Sequence, residues 1–148
     1  MPLTGQDPHA AGLDLLKILC GGTLPQIRRT AMGKPYFPDS PVHFSISHTP
    51  RHVFCVISEK PVGIDAEEAD RDIKLSLAEK LLSPMELAQF QQAQDKRRAL
   101  LTFWVLKEAA GKCSGKGLQI YPNDTEFSLH DSRVQERDGC LVAIIEQE

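Results

Sequence analysis

Between Lys96 and Cys113 the chain carries Leu100, Leu101, Phe103, Trp104, Val105, Leu106, Ala109 and Ala110, with little polar surface beyond the two ends. Apolar residues at helical spacing on nearly every face predict a helix that must be largely buried, so the rest of the chain has to surround it. From this helix emerge Glu108 and Lys112, four apart and therefore on one face with Leu101 and Val105. Trp104 and Lys107 project from the neighbouring stripe. By themselves Glu108 and Lys112 have an ordinary explanation, a helix ion pair worth about 0.2–0.5 kcal/mol.

A second acidic feature lies upstream. His52 to Asp65 is rich in Val, Ile and Phe and is broken by Glu59-Lys60-Pro61, which predicts a hairpin of two strands. Side chains two apart in a strand share a face, so Asp65 and Glu67 point the same way. Converging carboxylates repel unless a cation neutralises them, and hard oxygen ligands without Cys or His select Mg²⁺ or Ca²⁺ over zinc. An exposed strand end whose acids face water is the simpler account of Asp65 and Glu67 alone. Three carboxylates and two lysines together are the combination that magnesium-dependent phosphoryl transfer requires.

Elsewhere the reading is coarser. Met1 to Pro8 reads as a frayed start, followed by a short helix from Ala10 to Cys20 ended by Gly21-Gly22. A loop dense in Pro and Gly, Gly33 to Pro41, precedes a strand at Val42 to Ser47. Asp72 to Gln92 predicts one or two amphipathic helices broken at Ser83-Pro84. After the long helix, stopped by Gly115 and Gly117, Glu126 to His130, Arg133 to Arg137 and Leu141 to Glu146 predict a small antiparallel meander with a turn at Asp138-Gly139. The layout is α+β, a single domain over 1–148 with two similar halves of about 1–60 and 61–148.

Several classes are disfavoured. A net charge of −3 argues against general nucleic-acid binding. The apolar run Leu13 to Cys20 is too short to span a bilayer and no signal segment precedes it, so no membrane association and a cytoplasmic location are expected. Cys20, Cys55, Cys113 and Cys140 are scattered without a Cys-x-x-Cys pair and read as reduced core cysteines. His43, His48 and His52 are closely spaced, but no second cluster completes a zinc set, and they read as polar surface. No P-loop or Gly-x-Gly-x-x-Gly turn occurs, Ser45 and Ser47 lack a nucleophile elbow, and Trp104 reads as a core anchor.

Gly63-Ile64-Asp65-Ala66-Glu67 with Trp104-x-x-Lys107-Glu108-Ala109-x-x-Lys112 resembles the signature of the 4′-phosphopantetheinyl transferases. Gly33-Lys34-Pro35 and Phe44-Ser45-Ile46-Ser47-His48 match elements of the surfactin-synthetase-type branch, and Gly115-Lys116-Gly117-Leu118 continues the pattern. The resemblance runs roughly from Ala31 to the C-terminus. It implies two related α+β halves about a pseudo-two-fold axis with the active site between them. It also implies transfer of 4′-phosphopantetheine from coenzyme A to a serine of an apo acyl or peptidyl carrier protein, releasing 3′,5′-ADP.

By the same resemblance Asp65, Glu67 and Glu108 would hold Mg²⁺, and Glu108 would also take the serine proton. Lys112 would stabilise the leaving 3′,5′-ADP and Lys107 would contact the pyrophosphate or phosphopantetheine. Lys34, Ser47 and His48 would bind the 3′-phosphate and adenine end. The branch usually has a longer N-terminal segment with a first strand and a basic stretch for the 3′-phosphate; here Arg28, Arg29 and Lys34 are the candidates to substitute. The alternative is a non-catalytic relative that binds coenzyme A or a carrier protein, against which the retention of mutually repelling acids argues. The carrier is expected to dock beside Arg71 to Phe90, where Ile73, Leu75, Leu77, Leu81 and Met85 exceed one amphipathic face, and a monomer is favoured.

Overall fold

The computed structural model describes residues 1–118 and 125–148. In chain order its elements are α1 (Pro8–Leu19), β1 (Arg28–Arg29), β2 (Pro35–Tyr36), β3 (His43–His48), β4 (Val53–Ser58) and β5 (Val62–Glu68), then, after a single 3₁₀ turn at Leu75–Leu77, α2 (Ala78–Leu81), α3 (Pro84–Gln92) and α4 (Lys96–Ser114), and finally β6 (Val134–Arg137) and β7 (Cys140–Glu146). The arrangement is α+β.

Helix boundaries follow local chemistry. Asp7 caps α1 by accepting from the Ala10 amide, with Pro8 at the first position. Ser83 and Glu86 form a reciprocal capping box at the start of α3. Asp95 caps α4 through the Arg98 amide, and Gly115, at φ 75°, ends it. As its composition demands, α4 is enclosed: Leu100, Leu101, Phe103, Val105, Leu106 and Ala109 have essentially no exposure. Each such large side chain contributes about 1.5–3 kcal/mol of burial.

β5, β7 and β6 form one antiparallel sheet in the order β5-β7-β6, with Asp65 opposite Ala143 and Glu68 opposite Cys140. The β6–β7 turn has Asp138 at φ 51° and Gly139 at φ 76°, the paired positive angles of a tight hairpin. β3 and β4 pair separately, carrying α1 on their surface. The expected β4–β5 hairpin does not form; the strands exist, but each pairs elsewhere. A seam of hydroxyls helps join the two sheets, Ser45 Oγ accepting from the Ile64 amide at 3.1 Å and Ser47 Oγ from the Ala66 amide at 3.1 Å.

Two further expectations are corrected. The start is anchored: the Met1 amine donates to Val53 O, the Val53 amide donates back to Met1 O, and the Leu3 amide donates to Arg51 O. Glu126 to His130 is irregular rather than a strand, because its amides are taken by helix side chains: Phe127 N–H goes to Glu86 and Leu129 N–H to Gln89.

Close approach of β5 to α4 depends on one residue without a side chain. A Cβ on Gly63 would lie 2.0 Å from Ala109 O and 2.5 Å from Cys113 N, both backbone atoms that cannot swing aside. Gly63 therefore lets the strand carrying Asp65 and Glu67 lie directly on the helix carrying Glu108 and Lys112.

Candidate active site

Asp65 is buried on β5. Its Oδ1 accepts from Lys112 Nζ at 3.2 Å and from Ser47 Oγ at 3.4 Å. The Lys112 ammonium also donates to Ile64 O at 3.0 Å and Ile46 O at 3.3 Å, so it is pinned across the mouth between β3 and β5. Glu67 Oε1 accepts from Arg71 at 2.8 Å and from the Trp104 indole at 3.2 Å, with the Arg71 guanidinium 5.5 Å from the centre of the Trp104 ring. Trp104 is thus more than a core anchor: its N–H orients an acid of the site.

The three carboxylates feel one another. Burial pushes Asp65 up to about 7, opposed by Lys112 and reinforced by the charges of Glu67 and Glu108. Glu108 is raised as well, by burial first, with Lys112 opposing and Glu67 adding to it. They do not close on a single point, since Arg71 and Trp104 hold Glu67.

A divalent cation suits this set. Asp65 Oδ2 is buried and, among the described residues, has no hydrogen-bond partner. Such an orphaned acceptor costs about 1–3 kcal/mol, and a hard cation is the partner that three oxygen ligands would accommodate.

The electrostatics give a signed expectation. Asp65 has its folded-state pKa raised from an ordinary 3.8 to about 7, so the metal-free fold binds a proton that the unfolded chain has lost. That stability is fully present below the lower value and is lost as pH rises through the higher one, at up to about 1.4 kcal/mol per unit. Glu68 acts oppositely but in a lower window: burial works against it, yet hydrogen bonds from Thr49, His52 and Cys140 hold it down from 4.5 to about 2. A divalent cation held by these oxygens would offset the loss, because its apparent affinity gains up to about tenfold per unit as the carboxyl ionises. Melting curves across this range, with and without Mg²⁺, check this; a metal-free midpoint climbing steadily towards neutrality would contradict it.

Beside the carboxylates lies a cavity of about 270 Å³ lined by Lys34, Phe44, Ser45, Glu108, Lys112 and Gly115, among others. Its floor is the turn after α4, folded back so closely that a Cβ on Gly111 would fall 2.1 Å from Gly117 O. Lys34 reaches over it, donating to Cys113 O at 2.7 Å.

The structure thus brings together Asp65, Glu67, Glu108, Lys112 and Lys34. Ser47 is turned inward to Asp65 and the Ala66 amide, away from any surface phosphate, and His48 is exposed at the end of β3 outside the cavity lining. Lys107 is a correction. Its ammonium is fully buried on the other side of α4, 2.8 Å from Glu86 Oε1 and 5.6 Å from the centre of the Phe127 ring, so it cannot reach a pyrophosphate in the cavity. Glu86, which sequence reading passed over, also accepts from the Ser83 and Phe127 amides. Its Ser-x-x-Glu spacing was a visible capping signal, but nothing in it pointed to Lys107. The Arg71 to Phe90 segment also changes meaning: Ile73, Leu81 and Phe90 are core, Arg71 is committed to Glu67, and Leu75 and Met85 stay exposed.

The sequence model of the 4′-phosphopantetheinyl transferase superfamily matches residues 61–143, more than half of the chain and the part that carries all three acids and Lys112. The chain belongs to this superfamily. It is 37% identical over 102 residues to the 4′-phosphopantetheinyl transferase Sfp of Bacillus subtilis, covering 66% of this chain and 45% of the relative. Identity to a putative 4′-phosphopantetheinyl transferase of Haemophilus influenzae is 33% over 126 residues, 80% of this chain and 54% of that one. Against a holo-[acyl-carrier-protein] synthase of Lactobacillus helveticus it is 42% over 69 residues, 42% of this chain and 58% of the relative. The chain spans about half the length of the curated relatives it matches. Within the superfamily it resembles the surfactin-type branch. Among the described residues no helix is long and apolar enough to cross a membrane.

Proposed function

We propose that this transferase-family chain moves 4′-phosphopantetheine from coenzyme A to a serine of an apo acyl or peptidyl carrier protein, with Mg²⁺, and releases 3′,5′-ADP. The observation that carries the reading is the orphaned Asp65 Oδ2, set beside Glu108 and Lys112 at the edge of a cavity. Mg²⁺ held by Asp65, Glu67 and Glu108 would supply Lewis-acid stabilisation of the pyrophosphate charge.

Lys112, held by two carbonyls and Asp65 on the cavity lining, would act on the leaving phosphate through its positive charge. Glu108, whose carboxyl burial holds above its ordinary value against the opposing Lys112 charge, would accept the serine proton. Ser47 orients Asp65, and Arg71 with Trp104 orients Glu67. The remaining parts of the proposal are a cytoplasmic monomer without nucleic-acid or membrane partners, and two halves, about 1–60 and 61–148, related by a pseudo-two-fold axis. In support of the latter, α1 lies on the β3–β4 sheet and α4 on the β5–β7 sheet.

Mass spectrometry of an apo carrier protein incubated with the chain, coenzyme A and Mg²⁺ tests the reading through the phosphopantetheine mass gain. Binding of coenzyme A without that gain would leave the non-catalytic alternative in place.

Lys34 and His48, with Arg28 and Arg29, are the proposed grip on the 3′-phosphate. A charge-assisted contact is worth about 1.5–3 kcal/mol, so coenzyme A should bind about tenfold or more tighter than 3′-dephospho-coenzyme A. Equal affinities by calorimetry would remove this subsite from the proposal.

A further inference from the structure

Glu68 directly follows Glu67 on β5, and successive side chains of a strand point to opposite faces. Its carboxylate therefore leaves the magnesium site and meets a different set of groups. Ladder pairing places Glu68 opposite Cys140 at the start of β7, and His52 stands just before β4. His52 Nδ1 lies 3.0 Å from Glu68 Oε1, Cys140 Sγ lies 3.3 Å from Glu68 Oε2, and Cys140 Sγ lies 3.6 Å from His52 Nδ1. Among the described residues this is the one set of three metal-ligating side chains whose donor atoms all fall within 4.8 Å of one another.

We propose that His52, Glu68 and Cys140 form a zinc-type site, distinct from the carboxylate site on the opposite face of β5. A tetrahedral Zn²⁺ with ordinary bond lengths spaces its ligands about 3.4 Å apart for nitrogen and oxygen, and about 3.6 Å apart for sulfur and either of these. The His52–Cys140 separation of 3.6 Å meets that spacing; His52 and Cys140 lie 3.0 Å and 3.3 Å from different oxygens of the Glu68 carboxylate, and one ligand atom from each of the three residues falls within 4.8 Å of the others. An imidazole and a thiolate beside one carboxylate select zinc or cobalt and discriminate against Mg²⁺.

The surroundings fit a held ligand set. Thr49 Oγ1 donates to Glu68 Oε1 at 2.6 Å and fixes the carboxylate, as an outer-shell partner of a metal ligand does. Glu68 and Cys140 are buried, and the half-buried His52 leaves a way in from solvent. Arg51, 3.4 Å from Glu68 Oε1, opposes a cation, but it is largely exposed and bonds Asp70 through both carboxylate oxygens, which gives it a seat away from the site. In the metal-free protein the Cys140 thiol donates to Glu68. Uptake of Zn²⁺ breaks that S–H bond, forms the Zn–S bond and releases one proton to solvent, while the imidazole changes tautomer so that its proton moves from Nδ1 to Nε2 and Nδ1 can bind; thiolate and carboxylate then balance the two positive charges. Three protein ligands leave the fourth position to water. Such an ion would clasp the ends of three strands, including the His52 corner to which Pro2 bridges.

Titration of the whole chain with CoCl₂, followed by absorbance, tests the site. The expected result is a thiolate-to-cobalt charge-transfer band with tetrahedral visible bands, saturating at one equivalent, bleached by Zn²⁺ and unaffected by Mg²⁺. Cys140→Ala should lose the charge-transfer band. His52→Gln should weaken Co²⁺ binding by at least about tenfold. Asp65→Asn, which alters only the other face, should give the same charge-transfer titration as the parent. Zn²⁺ should raise the melting temperature of the parent and not of His52→Gln, a comparison that serves even where Cys140→Ala fails to fold. Absence of a charge-transfer band in the parent, its survival in Cys140→Ala, or full affinity in His52→Gln would each overturn the assignment.

Discussion

Replacing Asp65 by Ala, and separately Glu108 by Ala, is expected to abolish Mg²⁺-dependent transfer, a fall of at least about 10²–10³-fold, while the chain stays folded. The two halves of that statement have separate causes. On the proposed function, catalysis falls because each substitution removes an oxygen ligand that would hold a cation against the pyrophosphate. The fold persists because Asp65 adds little to it: Oδ2 is orphaned, and burial disfavours the charged form. Lys112 keeps the carbonyls of Ile46 and Ile64 when the carboxylate is gone. Rates at saturating coenzyme A, with circular dichroism as the control, decide it. Near-parental transfer by either variant would sink the metal assignment.

Lys107→Met is expected to have the largest effect on stability, about 3–5 kcal/mol, although Lys107 belongs to the very motif by which the family is read. Both members of the Lys107–Glu86 pair have no exposure, and the ammonium faces Glu86 Oε1 at 2.8 Å without an aligned hydrogen bond. Removing the ammonium strands a carboxylate in the core. For a chain of this length that loss corresponds to a melting-point fall of roughly 6–20 °C. Adding Glu86→Gln should recover much of it, since a neutral amide oxygen can still accept from the Ser83 or Phe127 amide and no buried charge is left. A Lys107→Met midpoint equal to the parent's in thermal and urea unfolding would show that the pair carries no such burden.

Glu108 and Lys112 could be placed together from sequence because their relation is a property of one helix, and Asp65 with Glu67 because theirs is a property of one strand. Helical spacing also separates Lys107 from Glu108, but it cannot say that Lys107 finds Glu86 on another helix. Strand pairing failed for the same reason. Glu59-Lys60-Pro61 has turn chemistry, yet the edges of β5 are claimed by β7 and by the hydroxyls of Ser45 and Ser47, all distant in sequence. Anchoring of Met1 to Leu3 is invisible in side chains because backbone groups make it. In sequence His43, His48 and His52 form one local group, whereas in the fold His52 meets its partners at the ends of β5 and β7.

The hydroxyl seam sorts the amides of β5 into two kinetic classes. Successive amides point to opposite strand edges, so those of Ile64 and Ala66 meet Ser45 and Ser47 while their neighbours face β7. A side-chain hydroxyl leaves its amide by rotating about one bond; a ladder carbonyl leaves only when two backbones separate. In deuterium the amides of Ile64 and Ala66 should therefore exchange ahead of those of Asp65 and Glu67, and equal protection along the strand would argue against independent parting of the sheets. Their exchange rate is a clock for how often the crevice beside Asp65 breathes, readable without substrate.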